Sequence, residues 1–234
     1  MIKARTYPRR GLHGTVVHDI GLRIVRGDLR PGDPLPTEEE LSGELSASRT
    51  VLREAVKVLA AKGLVESRPK TGTRARPRRD WNLLDPDVLA WRLEARPDRR
   101  FFDDVVELRR IVEPRAARLA AERATESEIA ELEEVFRQMQ AAADDPEAYL
   151  EPDVRFHALI LEACHNELLE HMASTMRAVF RGLFAKTGAM GSLGQTTSLH
   201  GAIVEAIRER DGQAAERATL VLIDDTARRL GRAL

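Results

Sequence analysis

The 234-residue chain holds one cysteine, Cys164, which excludes an internal disulfide framework and fits a reducing cytosol. Aromatic residues make up only 4%, while Ala, Leu, Arg and Glu dominate, a composition that favours helices over sheets. No run of 18 apolar residues occurs, and the start, MIKARTYPRR, lacks the apolar stretch of a signal peptide. A cytoplasmic protein with no membrane association is expected. No Ser-His-Asp arrangement and no phosphate-binding glycine-rich loop is evident.

Net charge is also nearly absent, at −1, but its distribution is uneven. Residues 1–80 hold 17 Lys or Arg against 10 Asp or Glu, and the remainder holds 20 against 28. A basic part joined to an acidic one suggests that only the first meets a polyanion.

The stretch Leu35 to Gly63, LPTEEELSGELSASRTVLREAVKVLAAKG, reads as two helices with a tight break. Thr37 with Glu40 forms a capping box for the first, and Gly43 to Ala47 is the expected turn. Ser48 precedes Val51, Leu52, Ala55, Val56 and Leu59, which recur at helical spacing. Arg49, Thr50, Arg53 and Lys57 do not share that apolar face, so one side packs and the other offers cations and a hydroxyl. That is the layout of a helix-turn-helix whose second helix enters the major groove by its N-terminal residues.

Upstream, Val16, Val17, Ile20, Ile24 and Val25 predict a supporting helix from Gly11 to Gly27, with His13 and His18 on its exposed side. The basic start, Tyr7 to Arg10, is a solvated tail or a phosphate contact. RPGDPLP excludes helix. Downstream, LVESRPKTGTRARPRR reads as a basic hairpin wing turning at Pro69 to Gly72, with a solvated linker as the alternative. Residues 77–100 carry three prolines and two tryptophans, which suggests a connector anchored by Trp81 and Trp91, with a short helix from Asp87 to Glu94.

From Phe101 onward the pattern is helical, with segments expected at Phe101 to Ala124, Ser127 to Ala142, Pro146 to His165, Leu168 to Lys186, Gln195 to Arg210 and Gly212 to Leu230. Asn166 suits a left-handed helix end, and GAMGSLGQTT is the one clear long loop. The expected fold is mainly α: a winged helix-turn-helix at 1–76, a connector at 77–100, and an antiparallel bundle of six to seven helices at 101–234.

Asp153 and His157 are four residues apart and share a face with Ile160, Leu161 and Cys164. His200 shares its face with Ile203, Val204 and Ile207, and Arg109 lies among Val105, Leu108, Val112 and Ala116. Asp, His and His suit a divalent transition metal, zinc or nickel-like, and an arginine can grip a carboxylate through two parallel hydrogen bonds. The set describes a site for a small organic acid. Satisfied core polar groups are the alternative for each residue alone.

These residues resemble a known family. LPTEEELSGELSASRTVLREAVKVLAAKGLVESRPKTGT resembles the winged helix-turn-helix of GntR-family transcription regulators, and ELRRIVEPRAARLAAERAT, DVRFH and HGAIVEAIRERDGQAA resemble the ligand-binding (FCD) domain of the FadR subfamily. The resemblance implies a homodimer on double-stranded operator DNA, with Arg49 and Arg53 on the operator and Gly72 at the wing tip. DNA contacts are expected from Thr37, Ser48, Arg49, Thr50, Arg53, Lys70 and Gly72. Glu39 stands where many members carry an arginine. Asp153, His157 and His200 match three of four metal ligands, Arg109 matches an effector contact, and Leu222 occupies the place of the fourth ligand: Asp225 could substitute, effector and water could complete the shell, or the site could bind its ligand without metal. The implied function is a non-enzymatic regulator, a repressor released by a sugar acid or other small carboxylate. A metal-dependent enzyme using Asp153, His157 and His200 and a regulator with a vestigial pocket answering to a protein partner remain as alternatives.

Overall fold

The computed structural model describes residues 11–68, 72–95, 99–187 and 193–233. Two compact units divide between Arg96 and Pro97. The basic tail at Tyr7 to Arg10 and the hairpin tip with Lys70 lie outside the described residues.

In the first unit α1 (Leu12–Arg26) ends on Gly27 in the left-handed region, and its apolar stripe of Val16, Val17 and Ile20 is fully buried. α2 (Glu38–Leu45) starts from the Thr37–Glu40 capping box, and α3 (Arg49–Ala61) starts from Ser48, whose Oγ accepts from the Val51 N–H. Gly43 is helical, so the turn is shorter than expected and passes through Ser46 at φ 50°. Leu41, Ala47, Leu52, Ala55 and Leu59 close the core beneath both helices.

β1 (Val65–Arg68) pairs antiparallel with β2 (Gly72–Ala75), from Val65 opposite Ala75 to Arg68 opposite Gly72. The proline-rich stretch before α2 lines β2: the Leu35 N–H donates to the Thr73 carbonyl and the Ala75 N–H to the Asp33 carbonyl.

The stretch expected to connect the domains packs on this first unit. It forms a short 3-10 turn at Arg78–Asp80 and α4 (Pro86–Glu94). Trp91 is buried in the same core, against Gly21, where an added Cβ would come within 2.7 Å of its ring. His18, expected on the exposed side of α1, is half-buried and accepts a hydrogen bond from Trp91 Nε1. Lys62 ends α3 and is 2% exposed, with Nζ 2.8 Å from both Asp85 oxygens and from Asp87 Oδ2. Asp85 also caps α4, accepting from the N–H groups of Asp87 and Val88. One ionic cluster therefore joins the C-terminus of α3 to the N-terminus of α4.

The second unit contains α5 (Arg99–Arg123), α6 (Glu126–Ala141), α7 (Pro146–Ala163), α8 (Glu167–Thr187), α9 (Leu193–Arg208) and α10 (Gly212–Ala233). α5 packs on α7, α9 and α10, and α7 also packs on α6 and α8. His165 rather than Asn166 takes the left-handed conformation, at φ 47°, and Asn166 instead caps α8 through its side-chain oxygen. The expected long loop is shorter: Gly188 to Ser192 lie outside the described residues, but Leu193 to Thr197 are already helical. Within that turn the Thr197 hydroxyl donates to the Leu193 carbonyl and accepts from the Tyr149 hydroxyl, so two hydroxyl groups are satisfied in the interior.

Candidate functional site

Within the bundle a cavity of about 40 Å³ is lined by Arg109 from α5, Asp153 and His157 from α7, Phe180 from α8, His200 from α9, and Leu222 and Arg229 from α10. The four polar residues singled out in the sequence thus meet in one place. Asp153, His157 and His200 each offer one ligand atom, and these atoms lie within 4.8 Å of one another. All three residues are at most 8% exposed.

Hydrogen bonding fixes which atom each ring presents. Nδ1 of His200 lies 2.8 Å from the Thr196 carbonyl oxygen, which can only accept, so Nδ1 carries the hydrogen. Nδ1 of His157 lies 3.0 Å from Glu113 Oε2. Burial alone would raise the Glu113 carboxyl, but Arg109 and His157 more than reverse this and hold it at about 2, so it is ionised and accepts from Nδ1. In each ring Nε2 is then the nitrogen turned toward the other ring and the pocket.

The two Nε2 atoms are 3.4 Å apart, and Asp153 Oδ1 is 3.3 Å from His200 Nε2. Burial would raise the Asp153 carboxyl, but its contact with His200 and the nearby His157 and Arg109 outweigh this, so it lies below its ordinary value. Burial pushes His200 the other way for a base, below its ordinary value, which keeps the ring neutral. Three potential ligand atoms converge within 4.8 Å of one another, an arrangement that a divalent cation would satisfy. The carboxylate–histidine pairing behind His157 is the arrangement that orients metal-binding imidazoles. The donor set fits a divalent cation.

Glu113 was not foreseen. It lies one turn beyond Arg109 on the inward face of α5, and Arg109 grips it with Nε at 2.5 Å and a second nitrogen at 3.2 Å. Arg109 also lies over the Phe180 ring, 5.2 Å from its centroid, and His157 stacks on the same ring. Arg229 is a further unforeseen wall residue: one of its terminal nitrogens binds Asp225, while its buried Nε has no hydrogen-bond partner among the described residues. Asp225, weighed as a substitute ligand, does not line the pocket and is held by Arg228 and Arg229. Leu222 does line it and supplies no ligand atom.

On the first unit, Ser48, Arg49, Thr50 and Arg53 are all exposed around the N-terminus of α3. Arg53 is bound by Glu38, Nε to Oε1 at 2.8 Å and a second nitrogen to Oε2 at 3.4 Å. The Thr37 hydroxyl is taken up in its capping box with Glu40. Gly72, exposed and at φ 76°, opens β2 at the edge of the hairpin tip. A winged helix-turn-helix followed by a helical unit with a buried polar pocket defines a DNA-binding transcription regulator.

Residues 12–74 match the family "Bacterial regulatory proteins, gntR family", and residues 104–225 match the FCD domain. The chain belongs to the GntR family of regulators that carry an FCD domain. It is 41% identical to the galactonate operon transcriptional repressor of Escherichia coli (strain K12), over 92% of this chain and 95% of that one. An uncharacterized HTH-type transcriptional regulator of the same organism is 35% identical, over 92% of this chain and 94% of that one. Among solved structures, the Lar regulator that controls the Listeria monocytogenes agr system shares the fold, with a TM-score of 0.65 at 19% identity, covering 97% of this chain and all of that one. No helix among the described residues is long and apolar enough to cross a membrane.

Proposed function

We propose that the chain is a homodimeric repressor that binds operator DNA and leaves it when a sugar acid enters the pocket of the second unit. The observation that carries this reading is the convergence of three potential ligand atoms, from Asp153, His157 and His200, in a pocket whose walls include Arg109 and Arg229. A zinc- or nickel-type ion held by those three side chains would leave coordination positions toward the pocket, where Leu222 withholds a protein ligand. An aldonate carries a carboxylate and adjacent hydroxyl groups, which suit a metal and a guanidinium together. The galactonate operon repressor, 41% identical to this chain, lends support to the substrate class and to the sign of regulation.

On the DNA side we assign base reading to Arg49 and Arg53, and positioning contacts to Thr37, Ser48, Thr50, Lys70 and Gly72. Two recognition helices in a dimer would read the half-sites of a palindrome. We take residues 1–76 as the DNA reader, 101–234 as the effector and dimerisation part, and 77–100 as the segment that couples them. We give the pocket a binding role and no catalytic one, since beyond its three acceptor residues it offers arginine, threonine and apolar side chains.

A thermal-shift screen of galactonate, other aldonates and simple carboxylates, with and without zinc or nickel, tests the pocket. A ligand that binds the native state alone raises the melting temperature. A metal-dependent rise with an aldonate supports the reading. No rise with any acid, in the presence of either metal, contradicts it.

A further inference from the structure

α2 opens with three consecutive glutamates, Glu38, Glu39 and Glu40, beside the helix assigned to the major groove. Like charges there oppose the approach of a phosphate backbone. Glu40 is consumed in the capping box with Thr37. Glu38 reaches across to α3 and takes Arg53 by two nitrogens. The pair is exposed, with side chains 42% and 68% accessible, so it adds little to stability. Its consequence is for what Arg53 can do.

A guanidinium has five N–H donors in a planar fork. Glu38 occupies the edge formed by Nε and one terminal nitrogen. The edge between the two terminal nitrogens stays open, and that edge matches the O6 and N7 acceptors of guanine. The carboxylate also cancels the arginine's charge locally, so the side chain loses its attraction for a phosphate while keeping its geometry for a base.

We infer that Glu38 is a specificity-determining residue of the DNA reader, holding Arg53 in a base-reading orientation and suppressing its use as a phosphate contact. This rests on the assignment of Arg53 to base reading. In consequence Glu38 lowers the affinity for unrelated sequences and raises the ratio of specific to non-specific binding.

The test uses the full-length protein and two duplexes: one selected from a randomised library by the unaltered chain, the other a shuffled duplex of the same composition. Affinity is measured by fluorescence anisotropy at several salt concentrations for the unaltered protein, Glu38→Gln, Arg53→Ala and the double variant, with melting temperatures as the folding control. For Glu38→Gln the shuffled duplex should bind severalfold more tightly, with the salt slope steeper by about one contact. The ratio between duplexes should fall about tenfold, and the Glu38 effect should vanish in the Arg53→Ala background. A role for Glu38 in folding alone would shift the melting temperature and leave the ratio and slope unchanged. An unchanged ratio in Glu38→Gln, with discrimination lost in Arg53→Ala, overturns the inference. Discrimination kept in Arg53→Ala overturns the assignment of Arg53 itself, and the inference with it.

Discussion

The Nε2 atoms of His157 and His200 face one another 3.4 Å apart, and each ring has committed its other nitrogen, to the Glu113 carboxylate and to the Thr196 carbonyl. The two Nε2 atoms and the Asp153 carboxylate are therefore held together in the interior of the bundle as a ready set of ligands for a cation.

The first expectation concerns that cation. Protein purified without chelator should carry close to one divalent metal per chain by elemental analysis, and His157→Ala should carry far less. Chelator should lower the melting temperature of the unaltered protein, because a ligand bound only to the native state stabilises it. His157→Ala should respond little.

Glu113 should matter to metal affinity although it cannot reach the metal position. In Glu113→Gln the amide no longer offers a charged acceptor to His157 Nδ1, and loss of such a supporting carboxylate costs about 10–100-fold in metal affinity. Competition with a chromophoric chelator measures it.

The same residue governs acid stability. Glu113 is held at about 2 in the folded chain against an ordinary 4.5, so the unfolded chain takes up its proton first. Its contribution is present above 4.5 and is lost as pH falls from there toward about 2. Denaturant titrations across that window should show stability falling more steeply for the unaltered metal-free protein than for Glu113→Gln.

Lys62 should be required for the first unit to hold together. Lys62→Met leaves the Asp85 and Asp87 carboxylates buried beside no ammonium, which costs about 3–5 kcal/mol. Urea unfolding followed by tryptophan fluorescence reports it directly, since Trp91 lies beside the cluster, 6.0 Å from Nζ to the ring centroid.

Much of this architecture could be read from periodicity. The apolar spacing of α3, the Thr37–Glu40 box, and the inward placement of Arg109, Asp153, His157 and His200 all follow from side chains three or four residues apart sharing a face. What was not legible depends on partners distant in sequence. Glu113 looks like an ordinary solvated helix residue until His157, from another helix, is placed beside it. Lys62 reads as a cation at a helix end, and only the fold brings Asp85 and Asp87 to it. Leu193 to Thr197 carry glycine and hydroxyl residues that suggest a loop, and only the fold brings Tyr149 from another helix to the buried Thr197 hydroxyl.

The measurement that bears most directly on the central claim is release of DNA. A labelled operator-type duplex, selected by the protein from a random library, is titrated with aldonates in the presence of zinc or nickel while anisotropy is followed. The account predicts that one aldonate releases the duplex from the unaltered protein at concentrations where Asp153→Ala stays bound, and that chelator abolishes release. Release that is identical in Asp153→Ala, or absent with every aldonate and either metal, would contradict it.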